Sequence, residues 1–287
     1  MSTAMETYGL ARFGDTLLSA MIENDGTRRA VKALTVVDDS VEQVKDQNCR
    51  LFFNVPDQVT IVKKIQIRPG SLIETPDLVQ FEMAQSLLEP QQDFYFDALP
   101  LTAGDSGRQY LSVAYHRREI DQLMDGFQAR LRRPSGFKLN AVAMVDAYLA
   151  FCQTVSGDLQ ILADIETDSV TIAIVYRRKL HGTGRLELHP GDEINSETAH
   201  ALAVEFKMTL SYYLTELFQQ GITVPPSHII LSGYHAGNSL IAEALARRIS
   251  AEIILPPFHD GYFQLDNKDG EPPRLERFFI PLGLAVE

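Results

Sequence analysis

Short apolar segments separated by turn-forming residues open the chain. The Asn-Asp-Gly link at residues 24–26 is typical of a β-hairpin turn. A short helix is predicted over residues 41–45, and the apolar run at 51–55 has the length of a strand buried on both faces. The first part of the chain therefore predicts an antiparallel meander followed by a buried strand. The meander strands are residues 8–13, 16–22 and 29–37.

From residue 59 to residue 136 the pattern predicts a small α+β subdomain inserted between larger parts. Breaker residues at 69–70 and 134–136 mark its joints. The last helix of this segment has a clear apolar face, formed by residues 120, 123, 124, 127 and 131. The other predicted elements are a strand over 60–67, a helix over 77–88, and strands over 94–99 and 110–115.

The second half of the chain repeats the opening pattern. An Ala-rich helix is predicted over residues 138–153, where small side chains allow close packing against another element. A long helix follows the second meander, with Ser196 as its predicted N-cap and Gly221 at its end. This internal duplication predicts mixed sheets flanked by helices, with a cleft between two lobes. The further elements are strands over 159–164, 170–176, 180–188, 229–231 and 252–255, and a helix over 238–249.

Length, charge and cysteine content exclude several classes of protein. The 287 residues suffice for two lobes, and a net charge of −12 argues against binding to nucleic acid or to an anionic lipid surface. Cys49 and Cys152 stand alone, so neither a disulfide framework nor a zinc site is indicated. Because no run of about 18 apolar residues is present, we expect the chain to be neither exported nor membrane-spanning.

Several short motifs, taken in their order, resemble the actin, Hsp70 and sugar kinase superfamily. Residues 164–169 (DIETDS) resemble its second phosphate-binding hairpin, and 12–16 (RFGDT) occupy the place of the first. Residues 204–207 (VEFK) resemble the helix that contacts ribose and base, 231–237 (LSGYHAG) the adenosine motif, and 281–285 (PLGLA) the closing connection. The resemblance implies an α/β fold of duplicated actin-like, ribonuclease H-like lobes, with mixed sheets flanked by helices and a small inserted subdomain.

Within that superfamily the sequence is most similar to PilM, the type IV pilus assembly protein family related to FtsA. The similarity is carried by residues 54–65, 81–85, 94–97, 113–115 and 139–143, which resemble the inserted subdomain of PilM and its surroundings. The resemblance implies three parts. These are a first lobe formed by residues 1–58 and 137–155, an inserted subdomain over 59–136, and a second lobe over 156–287.

If the chain binds ATP with magnesium, the resemblance places the contacts in the two hairpins, the long helix and the adenosine motif. Asp164 would hold metal-bound water, while hydroxyl side chains and backbone N–H groups would approach the phosphates. From local composition alone, Asp164 is a turn residue that caps its own hairpin. The implied nucleotide-binding residues are Gly14, Thr16, Asp164, Thr167, Glu205, Lys207 and Gly233.

Four residues depart from the superfamily pattern. Arg12 stands where an acidic residue is usual, and Glu166 stands where glycine is expected. Tyr234 and His235 fill positions that favour small residues. A buried like charge beside phosphate costs several kcal/mol unless it is neutralised. We therefore expect a pseudo-ATPase without a bound cofactor, acting as a scaffold and not as an enzyme; the alternative is an active ATP-binding protein or ATPase of the same family.

The resemblance also implies a partner. PilM-like proteins lie at the inner face of the cytoplasmic membrane and hold the short cytoplasmic tail of a PilN-type inner-membrane protein, in pilus assembly or a related secretion machine. Here the apolar tail would lie in a groove bordered by residues 52–56 and 94–99. We accordingly expect a cytoplasmic protein that is peripheral to the inner membrane through this partner.

Overall fold

The computed structural model describes residues 5–26, 28–37, 49–55, 60–67, 75–104, 107–128, 134–188, 193–265 and 273–286. The helix predicted over residues 41–45 lies outside this part of the chain. The chain forms two compact units, the first made of residues 1–54 and 134–287 and the second of residues 55–133. Both lobes predicted from the sequence lie in the first unit, so the three-part division stays a prediction.

The described residues form runs of strands separated by helices. In chain order they are β1 (Met5–Phe13), β2 (Thr16–Asn24), β3 (Arg29–Val37), β4 (Arg50–Val55), β5 (Thr60–Ile67), α1 (Thr75–Ala84), β6 (Phe94–Gly104), β7 (Gly107–His116), α2 (Arg117–Gln128), β8 (Gly136–Leu139), α3 (Asn140–Phe151), β9 (Leu159–Ile165), β10 (Ser169–Tyr176), β11 (Lys179–Glu187), α4 (Ser196–Gln219), β12 (His228–Ser232), α5 (Ser239–Ala246), β13 (Glu252–Ile254) and α6 (Phe279–Leu284).

Two five-stranded sheets of the first unit have the same topology. Their strand orders are β3-β2-β1-β4-β8 and β11-β10-β9-β12-β13. In each sheet the first three strands form an antiparallel meander, and the fourth strand pairs in parallel with the first. The internal duplication predicted from the sequence is therefore confirmed. Between the fourth and fifth strands, the second sheet has α5, whereas the first sheet has the whole second unit.

The second sheet contains one of the buried apolar clusters of the chain. β9 and β12 are buried along their whole length, because both faces of these central strands are covered. α4 packs on one face through Leu202, Phe206 and Leu210. Its N-cap is Asn195, so the prediction of Ser196 is wrong: the Asn195 side chain accepts hydrogen bonds from two backbone N–H groups of the first turn.

The helix predicted over residues 138–153 is wrong at its start. Gly136–Leu139 is the edge strand β8, and α3 begins at Asn140 and ends at Phe151. Strand pairing at the sheet edge overrides helix propensity here, and the Lys138 ammonium group bonds to the Asp146 carboxylate at 2.9 Å. The prediction of close packing by small residues is confirmed, because a Cβ atom at Gly283 of α6 would overlap the carbonyl group of Ala143 in α3.

The second unit is a three-stranded antiparallel sheet of order β5-β7-β6. α1 covers one face and buries Val79 and Met83 against Ile65, Ile67 and Phe94. α2 follows β7 directly and buries Ile120. Within the described ranges of both units, no helix has the length and apolar character needed to cross a membrane.

Candidate functional site

The carboxyl ends of β9 and β12 bring two polar residues together in the second sheet. Asp164 pairs with Thr171 in the β9–β10 ladder and is 2% exposed. Ser232 is the last residue of β12, and its hydroxyl group donates a hydrogen bond to Asp164 Oδ2 at 2.7 Å. Because β9 and β12 are parallel, their carboxyl ends meet at one edge of the sheet, where ligands bind in α/β folds.

Glu166 folds back over this pair. It is the first residue after β9, is 6% exposed, and is hydrogen-bonded through its carboxyl group to Asp164. Burial and the negative charge of Asp164 raise the pKa of Glu166 to about 9, against the smaller opposite effects of the Tyr234 backbone N–H group and the Arg277 guanidinium. At neutral pH the Glu166 carboxyl group is therefore protonated. The negative charge that the sequence predicted at this position is absent.

The loop after β12 lies directly against the segment that carries Glu166. Gly233 has a φ of 91°, and a Cβ atom there would lie 2.7 Å from the Ile165 carbonyl oxygen and 3.0 Å from Glu166 Oε1. The Gly233 N–H donates to the Glu276 carbonyl at 2.9 Å, and the His235 N–H donates to the Ile165 carbonyl at 2.9 Å. Both N–H groups are thus already engaged within the protein.

Aromatic and cationic side chains pack against one another at the same loop. The Arg277 guanidinium lies 5.0 Å from the centre of the Tyr234 ring, and the Tyr234 and His235 rings meet edge to face at 4.8 Å. Burial and the charge of Arg274 lower the pKa of His235, which favours the neutral imidazole. The adenosine motif of the sequence included Ser232. No motif indicated Arg277, because this residue comes from a distant segment of the chain.

The first hairpin contains an exposed arginine instead of a carboxylate. Gly14 is exposed in the turn between β1 and β2, and Thr16 is half-buried at the start of β2. The Arg12 backbone N–H donates to Asn54 Oδ1 at 2.9 Å, and Arg12 Nε donates to the Gly14 carbonyl at 3.2 Å. The guanidinium group of Arg12 therefore folds onto its own hairpin.

The remaining predicted contacts lie on the surface. Thr167 is exposed in the β9–β10 turn, and Glu205 and Lys207 are exposed on α4. Of the predicted site residues, the structure places Asp164 and Gly233 near each other. Ser232 and Glu166 contact Asp164, and Glu166 also lies beside Gly233. In the described part of the chain, no three His, Cys, Asp or Glu side chains are grouped so that they could hold a metal ion.

Gly233 provides a direct test of this packing. We expect Gly233→Ala to lower the free energy of unfolding by about 2–4 kcal/mol, because the added Cβ meets main-chain atoms and φ is positive. Gly221→Ala is the matched control, since Gly221 has a φ of 80° and no atom within 4 Å of the added Cβ. Denaturant unfolding measures both losses; equal losses would contradict the close approach at Gly233.

Solved structures with the same architecture are known. No protein-family model matches the sequence, and no curated protein matches it. The PilM–PilN type IV pilus biogenesis complex contains a chain that is 16% identical, with a TM-score of 0.73 over 98% of this chain and 97% of that chain. The cytoplasmic domain of EpsL, an inner-membrane component of the type II secretion system of Vibrio cholerae, is 11% identical, with a TM-score of 0.50 over 98% and 94% of the two chains.

These likenesses and the duplicated sheet topology define the fold class. The chain is an α/β protein of duplicated actin-like lobes with mixed sheets flanked by helices, as the sequence predicted. The predicted resemblance to PilM is confirmed at the level of the fold. At these sequence identities the comparison concerns the fold alone.

Proposed function

We propose that this chain is a PilM-like scaffold for the assembly of a type IV pilus or a related secretion machine. The observation that carries the proposal is the likeness to the chain of the PilM–PilN complex, which extends over 98% of this chain. The second unit takes part in that coverage, and the sequence motifs of the inserted subdomain point to the same family. A scaffold role needs binding surfaces and no turnover chemistry.

The proposed partner is the cytoplasmic tail of a PilN-like inner-membrane protein. The PilM–PilN complex joins two proteins of pilus biogenesis, and the same pairing here would hold the chain at the inner face of the membrane. The net charge of −12 opposes direct binding to anionic lipid, so recruitment through a protein partner fits the charge of the chain.

We further propose that the nucleotide site is degenerate. A metal-bound triphosphate needs a carboxylate open to metal-bound water and backbone N–H groups free to donate to phosphate oxygens. The arrangement around Asp164 does not fit that need, because the protonated Glu166 carboxyl group is bonded to Asp164 and the Tyr234 N–H donates to Glu166. The Gly233 N–H is also engaged, by the Glu276 carbonyl.

An active ATP-binding protein remains the second candidate function. The observation in its favour is the place of Asp164, at the carboxyl end of β9 and beside the parallel strand β12. This is where a fold of this class binds ligands. Binding of ATP with magnesium would require the Glu166 side chain to leave the position described here.

Vesicle flotation tests the scaffold proposal. We expect the chain to float with vesicles that display the cytoplasmic tail of a PilN-like inner-membrane protein, because the tail recruits the chain. Bare vesicles containing anionic lipid and vesicles displaying a scrambled tail are the controls, and neither should recruit it. Equal recruitment by bare vesicles, or no recruitment by the native tail, would overturn the proposal.

A further inference from the structure

The long helix α4 is apolar on its outer face as well as on the face that packs against the second sheet. Met208 is 68% exposed, Tyr212 63% and Phe218 66%. Among the large apolar side chains of the described residues, only Leu88 is more exposed than these three. Exposed apolar side chains are therefore concentrated on the outer face of one helix, which is typical of an interaction surface.

The outer face of α4 has the heptad spacing of a helix that pairs with another helix. From residue 201 to residue 218, the first and fourth positions of every heptad are uncharged and form a continuous seam. Glu197 occupies the fourth position of the preceding heptad, so the seam ends there. Several of its members are small and allow close approach of a second backbone. The seam residues are Ala201, Val204, Met208, Ser211, Thr215 and Phe218.

Tyr212, which borders the seam, is held in place before any partner binds. Its ring meets the Tyr213 ring edge to face, with the ring centres 5.3 Å apart. Its hydroxyl group is hydrogen-bonded to the Glu216 carboxylate. The Tyr213 hydroxyl donates to the Thr183 carbonyl of β11, which fixes the pair of rings to the sheet. An aromatic side chain that is already ordered loses little conformational entropy on binding.

The charged groups beside the seam differ between its two sides. Lys207 and His200 lie on the side of α5, where Arg248 Nη2 is 2.6 Å from His200 Nε2. Glu205 and Glu216 lie on the side of β11. One side of the seam is therefore basic and the other acidic.

The other charged groups on α5 and β11 form pairs of their own. Arg247 Nη2 lies 3.2 Å from Glu243 Oε2 on α5. Arg185 Nη1 lies 3.2 Å from Glu187 Oε1 on β11. Leu186 belongs to the apolar cluster under α4, so Arg185 and Glu187 point to the opposite face of the sheet. These pairs leave the opposite charges on the two sides of the seam unchanged.

We propose that α4 pairs in parallel with α4 of a second copy of this chain, along the seam from residue 201 to residue 218. In a parallel pair, each side position of one helix lies near the opposite side position five residues further along the other helix. His200 and Arg248 of one copy then meet Glu205 of the other. Lys207 likewise meets Tyr212, whose hydroxyl group holds the Glu216 carboxylate.

Charge complementarity selects both the occupant and its orientation. An antiparallel pair would place the acidic sides of the two copies together, whereas the parallel pair places acidic beside basic on both sides. The net charge of −12 repels a second copy at long range, but at physiological ionic strength such repulsion is screened beyond about 8 Å. The surface shares no residue with the groove proposed for the partner tail.

The size of the seam sets the expected strength of the dimer. Met208, Tyr212 and Phe218 together expose roughly 400 Å². This is about half of the ~800 Å² that each partner buries in an interface of standard size. We therefore expect a reversible dimer with a dissociation constant in the micromolar range.

Sedimentation velocity of the full-length chain, from about 1 to about 300 μM, tests the pairing. We expect the chain to change from monomer to dimer across this range. Met208→Lys should raise the dissociation constant at least about tenfold, because it buries a charge at the centre of the seam. Phe81→Lys is the matched control: Phe81 is 57% exposed on α1 of the second unit, and its replacement should leave dimerisation unchanged.

A charge swap and a cross-link test the orientation. Glu205→Arg and Arg248→Glu should each weaken the dimer severalfold, and the double variant should recover most of the loss. Thr215→Cys should form a disulfide between two copies under oxidising conditions, because a parallel pair places the two positions opposite each other. The native chain, with Cys49 and Cys152 only, is the control and should not be cross-linked.

Four results would each overturn the proposal. A chain that stays monomeric throughout the range would leave the outer face of α4 to a different protein. Equal weakening by Phe81→Lys would place the dimer contact elsewhere. No recovery in the double charge variant, or dimers of Thr215→Cys that are not cross-linked, would exclude the parallel orientation.

Discussion

Gly283→Ala is expected to lower the free energy of unfolding by at least about 4 kcal/mol. The added Cβ would overlap the Ala143 carbonyl group and lie 2.9 Å from Ala143 Cα, so α3 and α6 would have to move apart. Both helices are buried along most of their length, and close-packed interiors do not absorb such a shift. Since a domain has only about 5–15 kcal/mol in total, this loss removes at least roughly a quarter of its stability.

Two variants separate this overlap from a general effect of replacing glycine. Gly26→Ala lies in an exposed turn with no atom within 4 Å of the added Cβ, and we expect it to cost about 1 kcal/mol. Ala143→Gly should not rescue Gly283→Ala, because the atoms that clash belong to the main chain. Thermal or denaturant unfolding of the three variants gives the answer; a loss below about 1 kcal/mol in Gly283→Ala would contradict the packing of α3 on α6.

Glu166→Gln is expected to stabilise the protein at neutral pH by on the order of 3 kcal/mol. At pH 7 folding of the native chain must protonate Glu166, because its pKa rises from the ordinary value of 4.5 to about 9. The glutamine amide is neutral at every pH and can still donate to Asp164. The charged groups that face this position are Asp164 and Arg277, and both remain in the variant.

The pH dependence gives the same variant a distinctive signature. Because the folded pKa lies above that of the unfolded chain, folding takes up a proton between the two values. The free energy of unfolding of the native chain should therefore fall as the pH rises from about 4.5 to about 9. This component should be absent in Glu166→Gln, while Glu205→Gln, at an exposed position on α4, should follow the native chain. Parallel pH profiles for the native chain and Glu166→Gln would contradict the buried protonated carboxyl group.

The architecture could be predicted because local hydrophobic and turn patterns indicate it, and these patterns occur twice along the chain. The turn at residues 24–26 and the short apolar runs at 161–163 in β9 and 229–231 in β12 identify strands without reference to the rest of the fold. The strand Gly136–Leu139 could not be predicted, because a four-residue edge strand depends on its neighbour in the sheet and not on its own sequence. Similarly, Asn195 and Ser196 are both good N-caps, and the chain geometry chooses between them.

The sequence predicted which residues form part of the candidate site, but it did not predict their protonation and contacts. The order of the motifs pointed to Asp164 and Gly233, and residue type alone marked Glu166 as foreign to a phosphate site. The sequence could not reveal that Glu166 is buried against Asp164, and burial is what raises its pKa. The contribution of Arg277 was equally hidden, since only the tertiary fold brings the segment that contains it to the loop after β12.

One thermal-shift experiment tests the central claim, that this actin-like fold acts by holding a partner and not by binding nucleotide. A synthetic cytoplasmic tail of a PilN-like inner-membrane protein should raise the melting temperature by several degrees at concentrations well above its Kd, since it binds the folded state alone. ATP with magnesium should leave the melting temperature unchanged. A large shift with ATP and magnesium, accompanied by steady phosphate release and no shift with the tail, would contradict the claim.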